Sequence, residues 1–332
     1  MTKQEIESLF SRFSELTVLV IGDVMIDSYL WGQVSRISPE APVPVVHVQK
    51  KENRLGGAAN VALNVKALGA KAIMCSVVGD GSKGDVFRKT CKDNGFTTEG
   101  IIDSTERMTT VKTRVIAQGQ HMVRIDDEVT WPLSATDERN LLDCIQQILM
   151  RQKVDAIIFE DYNKGVLTPK VIDTVLQWSH ERGILTAVDP KKENFFGYRS
   201  CTLFKPNLKE LREGLGRDID RKDNEQLRSA MEELQARLGN ELTMVTLSEA
   251  GVATLDASGF HHIPAHRREI TDVSGAGDTV ISVAALSLAA GWNIREAAAV
   301  ANLAGGLVCE HVGVVPVEPS RLMEEAIKAM TR

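Results

Sequence analysis

The sequence has few cysteines, no long hydrophobic run and no surplus of positive charge, and each lack removes a class of protein. Its five cysteines (Cys75, Cys91, Cys144, Cys201 and Cys309) are scattered, odd in number and without a C-x-x-C pair. A disulfide framework or zinc ribbon is therefore excluded, and reduced thiols are the simple reading. The longest mostly apolar stretch, Val280 to Ala290, is too short to span a bilayer. Met1 to Leu16 carries Glu5, Glu7 and Glu15 inside an amphipathic pattern, unlike a secretory signal. A cytoplasmic protein without a membrane partner is expected. The formal net charge of −6 gives no general attraction to nucleic acid, so none is expected as a partner, and an anionic ligand needs a local basic pocket. No G-x-x-x-x-G-K-[ST] loop occurs, which excludes a P-loop enzyme. His261, His262 and His266 lack partner ligands at zinc spacing.

What is present is ordinary globular material: 332 residues, 43% apolar and 25% charged, enough to bury a substantial core. Short β-branched runs at Thr17–Ile21, Ala72–Val78, Ala156–Phe159, Leu185–Val188 and Met244–Leu247 read as buried strands. Between them Val61–Leu68, Asp85–Asn94, Ala135–Met150, Lys170–Arg182 and Asn224–Leu238 read as helices. The alternation predicts an α/β fold, a mostly parallel sheet covered by helices on both faces. Two segments break the rhythm: one after Pro39, Pro42 and Pro44, the other flanking the hairpin signal Gln118-Gly119-Gln120. They predict a small antiparallel β lid, from about 29–50 and 109–127, on a single domain covering 1–332.

The sharpest motif is Asp272-Val273-Ser274-Gly275-Ala276-Gly277-Asp278, ahead of a small-residue helix over Thr279–Ala290. Small residues at a helix N-terminus let backbone N–H groups approach a phosphate, and the dipole favours negative charge. Asp278, just past that cradle, can take a proton from an attacking hydroxyl. A glycine turn with Asp278 as an N-terminal cap is the plain structural reading. Leu55-Gly56-Gly57-Ala58-Ala59-Asn60, with Gly69 and Gly79 beyond, again puts small residues before a helix. Asn60 there suits sugar hydroxyls, against close helix–sheet packing as the alternative.

Together the two motifs resemble the N- and C-terminal signatures of the PfkB carbohydrate kinases. That resemblance implies a ribokinase-like fold, ATP with Mg2+ as cofactor, Asp278 as base, and Gly275, Ala276 and Gly277 as the anion hole. Asn207-Leu208-Lys209-Glu210 is similar to the family's N-x-x-E motif, which implies that Asn207 and Glu210 organise magnesium through water, although a capping arrangement fits the same residues. Thr246 to Gly251 resembles the nucleotide-side loop, with Ser248 and Gly251 as ATP-binding candidates beside Lys191 and Asn207; a plain hairpin turn fits equally. Lids in this family imply a homodimer.

Gly22-Asp23-Val24-Met25-Ile26-Asp27 follows the first strand, which puts Asp23 and Asp27 at the ligand-binding sheet edge, where paired carboxylates can accept vicinal hydroxyls. Ser35 to Val46, Asp161-Tyr162-x-Lys164-Gly165 and Asp189-Pro190-Lys191 resemble one subgroup, the D-glycero-β-D-manno-heptose 7-phosphate kinases of lipopolysaccharide precursor synthesis. The implied reaction is phosphorylation at C1, with substrate contacts from Asp23, Asp27, Gly56, Gly57 and Asn60. The sugar's own phosphate needs cations, and Lys112, Arg114 and Arg124 on the lid, with Arg36, are candidates; Lys112 and Arg114 share a strand face. Another phosphorylated sugar, or a non-catalytic sensor of the same fold, are the alternatives. Bifunctional relatives carry a nucleotidyltransferase with an H-x-G-H motif, whereas His311-Val312-Gly313-Val314 lacks the second histidine. Adenylyl transfer is therefore expected from another polypeptide, a separate adenylyltransferase as partner, or from a portion outside this sequence. His311 and Val314 also depart from the subgroup, which argues against a monovalent-cation site in that loop and leaves Asp272 as a contributor to one. Gly79-Asp80-Gly81-Ser82-Lys83-Gly84, with Asp103, matches a dinucleotide fingerprint but begins on the wrong element.

Overall fold

The computed structural model describes residues 1–266 and 268–331. In chain order, α1 (Lys3–Arg12) precedes β1 (Thr17–Gly22), β2 (Val24–Ile37) and β3 (Pro44–Gly57), then α2 (Ala58–Ala67), β4 (Lys71–Gly79), α3 (Ser82–Asp93) and β5 (Ile101–Ser104). Next come β6 (Thr110–Ala117), β7 (Gln120–Asp127), α4 (Ala135–Arg151), β8 (Ala156–Glu160), α5 (Pro169–Arg182), β9 (Leu185–Asp189) and β10 (Leu203–Phe204). The last part holds α6 (Leu208–Leu215), α7 (Asn224–Leu238), β11 (Leu242–Thr246), β12 (Val252–Asp256), β13 (Gly259–Ile263), α8 (Ala276–Ala289), α9 (Ile294–Val308) and α10 (Pro319–Met330). Each strand and helix expected from the periodicity reappears, with ends shifted by a few residues.

The main sheet runs β13-β12-β11-β10-β9-β8-β1-β4-β5, parallel except for β12 and β13. Alternation along β1 shows why both faces are covered. Val18 and Val20 pack with α2, α8 and α9, while Leu19 and Ile21 pack with α4, α5 and α7. From β1 the chain builds outward through β4 in one direction and β8 in the other. Such a reversal opens a crevice beyond the C-terminal strand ends, the usual ligand position in open α/β sheets.

The lid is a four-stranded sheet, β3-β2-β6-β7. It is larger than the sequence pattern suggests and not wholly antiparallel. Its strands reach back to Val24 and forward to Gly57, and β2 pairs with β6 in parallel. The reason is that β2 continues β1 with only Asp23 between them, so the chain leaves the main sheet without a loop to mark the change. Asp27 therefore lies on a lid strand, and Gly56-Gly57 ends β3 instead of forming a loop. The Gln118-Gly119 turn forms as expected, both residues with positive φ, 52° and 76°. No helix among the described residues is long and apolar enough to cross a membrane.

Candidate active site

The ends of β1, β8, β9 and β10 and the first turns of α2, α6 and α8 meet in the crevice. α8 starts at Ala276, capped by Gly275 in the left-handed region (φ 77°), so Asp278 falls in its first turn, 5% exposed. Asn60 occupies the same turn of α2. The two helices pack closely through small residues and are tied by Thr279 Oγ1 to Asn64 Oδ1 (3.1 Å) and Ser282 Oγ to the Val61 carbonyl (3.2 Å). Asn60 Nδ2 consequently donates to Asp278 Oδ2 at 2.7 Å. The other oxygen, Oδ1, accepts from the Tyr162 hydroxyl at 2.8 Å. Burial raises the Asp278 pKa, the Asn60 and Tyr162 bonds pull it down, and the Asp189 charge pushes it up again.

Behind Asp278 lies a buried charge cluster in which Asp189 is joined by Glu160 and Lys205, two residues that no motif announced. Carboxylate oxygens of Glu160, Asp189 and Asp278 come within 4.8 Å of one another. Lys205 Nζ, almost fully buried, meets Asp189 Oδ2 at 2.8 Å and supplies the compensating charge. Glu160 has no partner for Oε2; burial first, then Asp189 and Asp278, hold its carboxyl well above the usual range. A Cβ added at Gly277 would stand 3.7 Å from Asp189 Oδ2 and 3.9 Å from Lys205 Nζ, so the start of α8 passes directly over this pair.

Asp23 and Asp27 are not a matched pair of free acceptors. Asp23 accepts three backbone N–H bonds, from Tyr162 (2.9 Å), Lys164 (3.0 Å) and Val166 (3.1 Å), and so fastens the loop after β8. Asp27 is ion-paired with Arg114 inside the lid, its Oδ2 toward Gly56. Arg124 pairs with Asp126 at 2.9 Å in an exposed position. Lys112 differs: it is half-buried, has no ion-pair partner among the described residues, and stands 5.7 Å from the Tyr162 ring centroid. Arg36 is exposed on the lid.

A cavity of about 790 Å³ opens beside the Ala276-Gly277 turn. Asn207, Ser248 and Gly251, three of the ATP-binding candidates, line it, and Val252, Ile270, Val273 and Val280 add an apolar wall. His266 is on its rim as well. Ser248 and Gly251 belong to the turn joining β11 to β12, so the turn is both a hairpin and a cavity wall. Lys191 is not on the wall: it is bonded to Glu210 Oε1 and stands 5.4 Å from the Tyr162 ring centroid. Asn207 and Glu210 form a capping box on α6: Glu210 N donates to Asn207 Oδ1 (2.9 Å) and Asn207 N to Glu210 Oε2 (2.8 Å). With Lys191 on the remaining Glu210 oxygen, Asn207 Oδ1 and both Glu210 carboxylate oxygens already accept hydrogen bonds, and the pair serves as a helix cap. Asp272 accepts from Ser274 N (2.9 Å) and Gly313 N (2.8 Å), bridging the loops before α8 and α10. The Gly79–Gly84 segment is packing: a Cβ at Gly84 would lie 1.9 Å from the Gly79 carbonyl oxygen, and Asp103 pairs with Arg88.

The family profile described as pfkB family carbohydrate kinase matches residues 15–321. The bifunctional protein HldE of Citrifermentans bemidjiense is 41% identical over 98% of this chain, which spans 66% of that relative's length. Among solved structures, phosphofructokinase-2 from Escherichia coli in complex with potassium superposes with a TM-score of 0.77 at 18% identity, over 94% of this chain and 99% of that one. Ribokinase from Thermotoga maritima gives 0.66 at 20% identity, with the same coverage of 94% and 99%. The fold is thus ribokinase-like.

Proposed function

The chain belongs to the pfkB family of carbohydrate kinases and is a sugar kinase, and from that premise we propose that it phosphorylates D-glycero-β-D-manno-heptose 7-phosphate at C1, with ATP as donor. The observation that carries the chemistry is Asp278 in the first turn of α8, held on both oxygens and next to a nucleotide-sized cavity. The acceptor hydroxyl passes its proton to Asp278 as its oxygen bonds to the γ-phosphorus. The bond from that phosphorus to the bridging oxygen breaks, and ADP leaves. Backbone N–H groups at Gly275, Ala276 and Gly277 meet the charge on the moving group, aided by the α8 dipole. Magnesium, when bound, neutralises charge across the phosphates; Asn207 and Glu210 would hold its waters.

The heptose assignment rests on Ser35 to Val46, Asp161 to Gly165 and Asp189 to Lys191, and kinship with the HldE proteins supports it. Lys112 is the cation for the sugar's own phosphate: a half-buried ammonium without a counterion gains from an anion that a paired arginine would not. Arg114 and Arg124, already paired, shape the lid around it. The lid shuts out water that would otherwise compete as acceptor. Nucleotidyl transfer onto the product falls, on this reading, to a different catalytic unit.

Coupled ADP release, with heptose 7-phosphate, fructose 6-phosphate, ribose and buffer alone side by side, tests the substrate. A strong preference for the heptose phosphate is expected; preference for another sugar phosphate would keep the chemistry and discard the heptose. Asp278→Asn is expected to lower kcat by about 10²–10⁴-fold with ATP binding kept. Near-normal turnover by that variant would remove Asp278 from the base role.

A further inference from the structure

Asp278 is reached by only two hydrogen-bond donors among the described residues, and one of them, Tyr162, comes from the loop after β8, outside the two small-residue motifs. That loop is held unusually firmly. Three successive bonds to the buried Asp23 carboxylate fix the backbone at Tyr162, Lys164 and Val166. Asn163 takes a positive φ of 53° between them, with its N–H on Asp161 Oδ1 at 2.8 Å. A strained, clamped turn of this kind persists only where its surroundings over-determine it. Its product is a phenol aimed at one carboxylate oxygen. The ring has ammonium groups near it from two directions in the chain, Lys112 of the lid at 5.7 Å and Lys191 after β9 at 5.4 Å from its centroid.

We propose that Tyr162 is a positioning residue for the phosphoryl transfer: its hydroxyl fixes the rotamer and the basicity of Asp278, and its ring seats the lid lysine that meets the acceptor. The proposal rests on Asp278 being the base. Tyr162 passes no proton itself; burial, followed by Asp278, holds its phenol well above the usual range, so it stays a donor. The titratable groups that face Asp278 are Glu160 from β8, Asp189 from β9, Lys205 after β10 and the phenol itself. The phenol is the only one of these bonded to it, so removing the hydroxyl should act on Asp278 directly.

Tyr162→Phe keeps the ring and deletes the donor. Measured with heptose 7-phosphate, or whichever acceptor turns over, kcat at pH 7.5 should fall about 10–100-fold, the loss expected for one hydrogen bond to a charged group. KM for ATP should stay within about twofold, and the acid limb of the kcat–pH profile should move to higher pH, because a bond that lowers the Asp278 pKa is gone. Tyr162→Ala should add a rise in KM for the sugar phosphate, since Lys112 loses its seat. Thermal midpoints of both variants, and Asp278→Asn in parallel, separate the outcomes. If Asp278→Asn is inactive while Tyr162→Phe keeps wild-type kcat and an unmoved acid limb, the positioning role is wrong and the base role stands. If Asp278→Asn retains turnover, the base role itself is wrong.

Discussion

Asp23 shows how one side chain can shape a site through the backbone it holds. Its two oxygens serve three backbone N–H groups, and that arrangement delivers Tyr162 to Asp278. Burial first, then the neighbouring Asp161, raises its pKa to about 6, above the ordinary carboxylate range, despite those bonds. The sign of the resulting pH dependence is unusual for a carboxylate. Between about pH 4 and pH 6 the folded state holds a proton that the unfolded state has released, so this group's contribution falls as pH rises through that window. The stability of the wild type minus that of Asp23→Asn, from urea titrations at steps across pH 4 to 7, should therefore decline with rising pH. A difference that rises instead would mean that the three N–H bonds outweigh desolvation. Independently of pH, Asp23→Asn puts an amide N–H₂ where acceptors are required, and kcat should drop with it.

At the scale of elements the lid is the informative case, because its register depends on a missing side chain. β3 lies against β2 with Gly56 opposite Met25 and Arg54 opposite Asp27. A Cβ at Gly56 would stand 2.2 Å from Asp27 Oδ2 and 2.9 Å from Met25 Cγ. Gly56→Ala should therefore displace Asp27 from Arg114 and cost about 1–3 kcal/mol. A lower thermal midpoint together with a raised KM for the sugar, at unchanged KM for ATP, is the expected result; unchanged parameters would mean that the lid adjusts freely.

The same element marks where the sequence is readable. Buried β-branched runs and amphipathic helices of the main sheet are local signals, and Asn224–Leu238 matches its helix end to end. The two small-residue motifs are local as well, which is why Gly275 to Asp278 and Asn60 were legible as one site. The lid bounds were not, because β1 passes into β2 through a single residue and no turn chemistry announces the change. α9 is harder to read: its less buried face, Arg295, Ala299, Asn302 and Gly306, holds as many small residues as polar ones, so polarity marks its period weakly. Glu160, Asp189 and Lys205 come from the ends of three different strands, and only strand order makes them neighbours. No spacing in the chain encodes that.

Considered whole, the molecule has one surface that its own core does not explain. β7 is an outer strand of the lid, with a free hydrogen-bonding edge, and all of it is exposed apart from the half-buried Asp127. Met122, Val123 and Ile125 show 40%, 51% and 51% of their surface, and Ile37 and Val43, beside the turn joining β2 to β3, show 60% and 52%. A strand bare on both faces, with three exposed apolar side chains and an outer edge that no strand covers, invites an edge-to-edge or face-to-face partner. A second copy of the chain is the proposed occupant, lid against lid, which would cover these residues and hold each lid over its site. Equilibrium sedimentation should find a dimer for the wild type and a monomer for the double variant Val123→Lys, Ile125→Lys. Turnover of that monomer should be lower mainly through a raised KM for the sugar phosphate, since the cavity of about 790 Å³ beside Gly277 is built by the main body alone. A wild type that stays monomeric at all concentrations would overturn the dimer, and a double variant that still dimerises would place the contact elsewhere. Full activity in a monomeric variant would separate lid closure from assembly, because the Lys112–Tyr162 contact that closure must preserve lies within one chain.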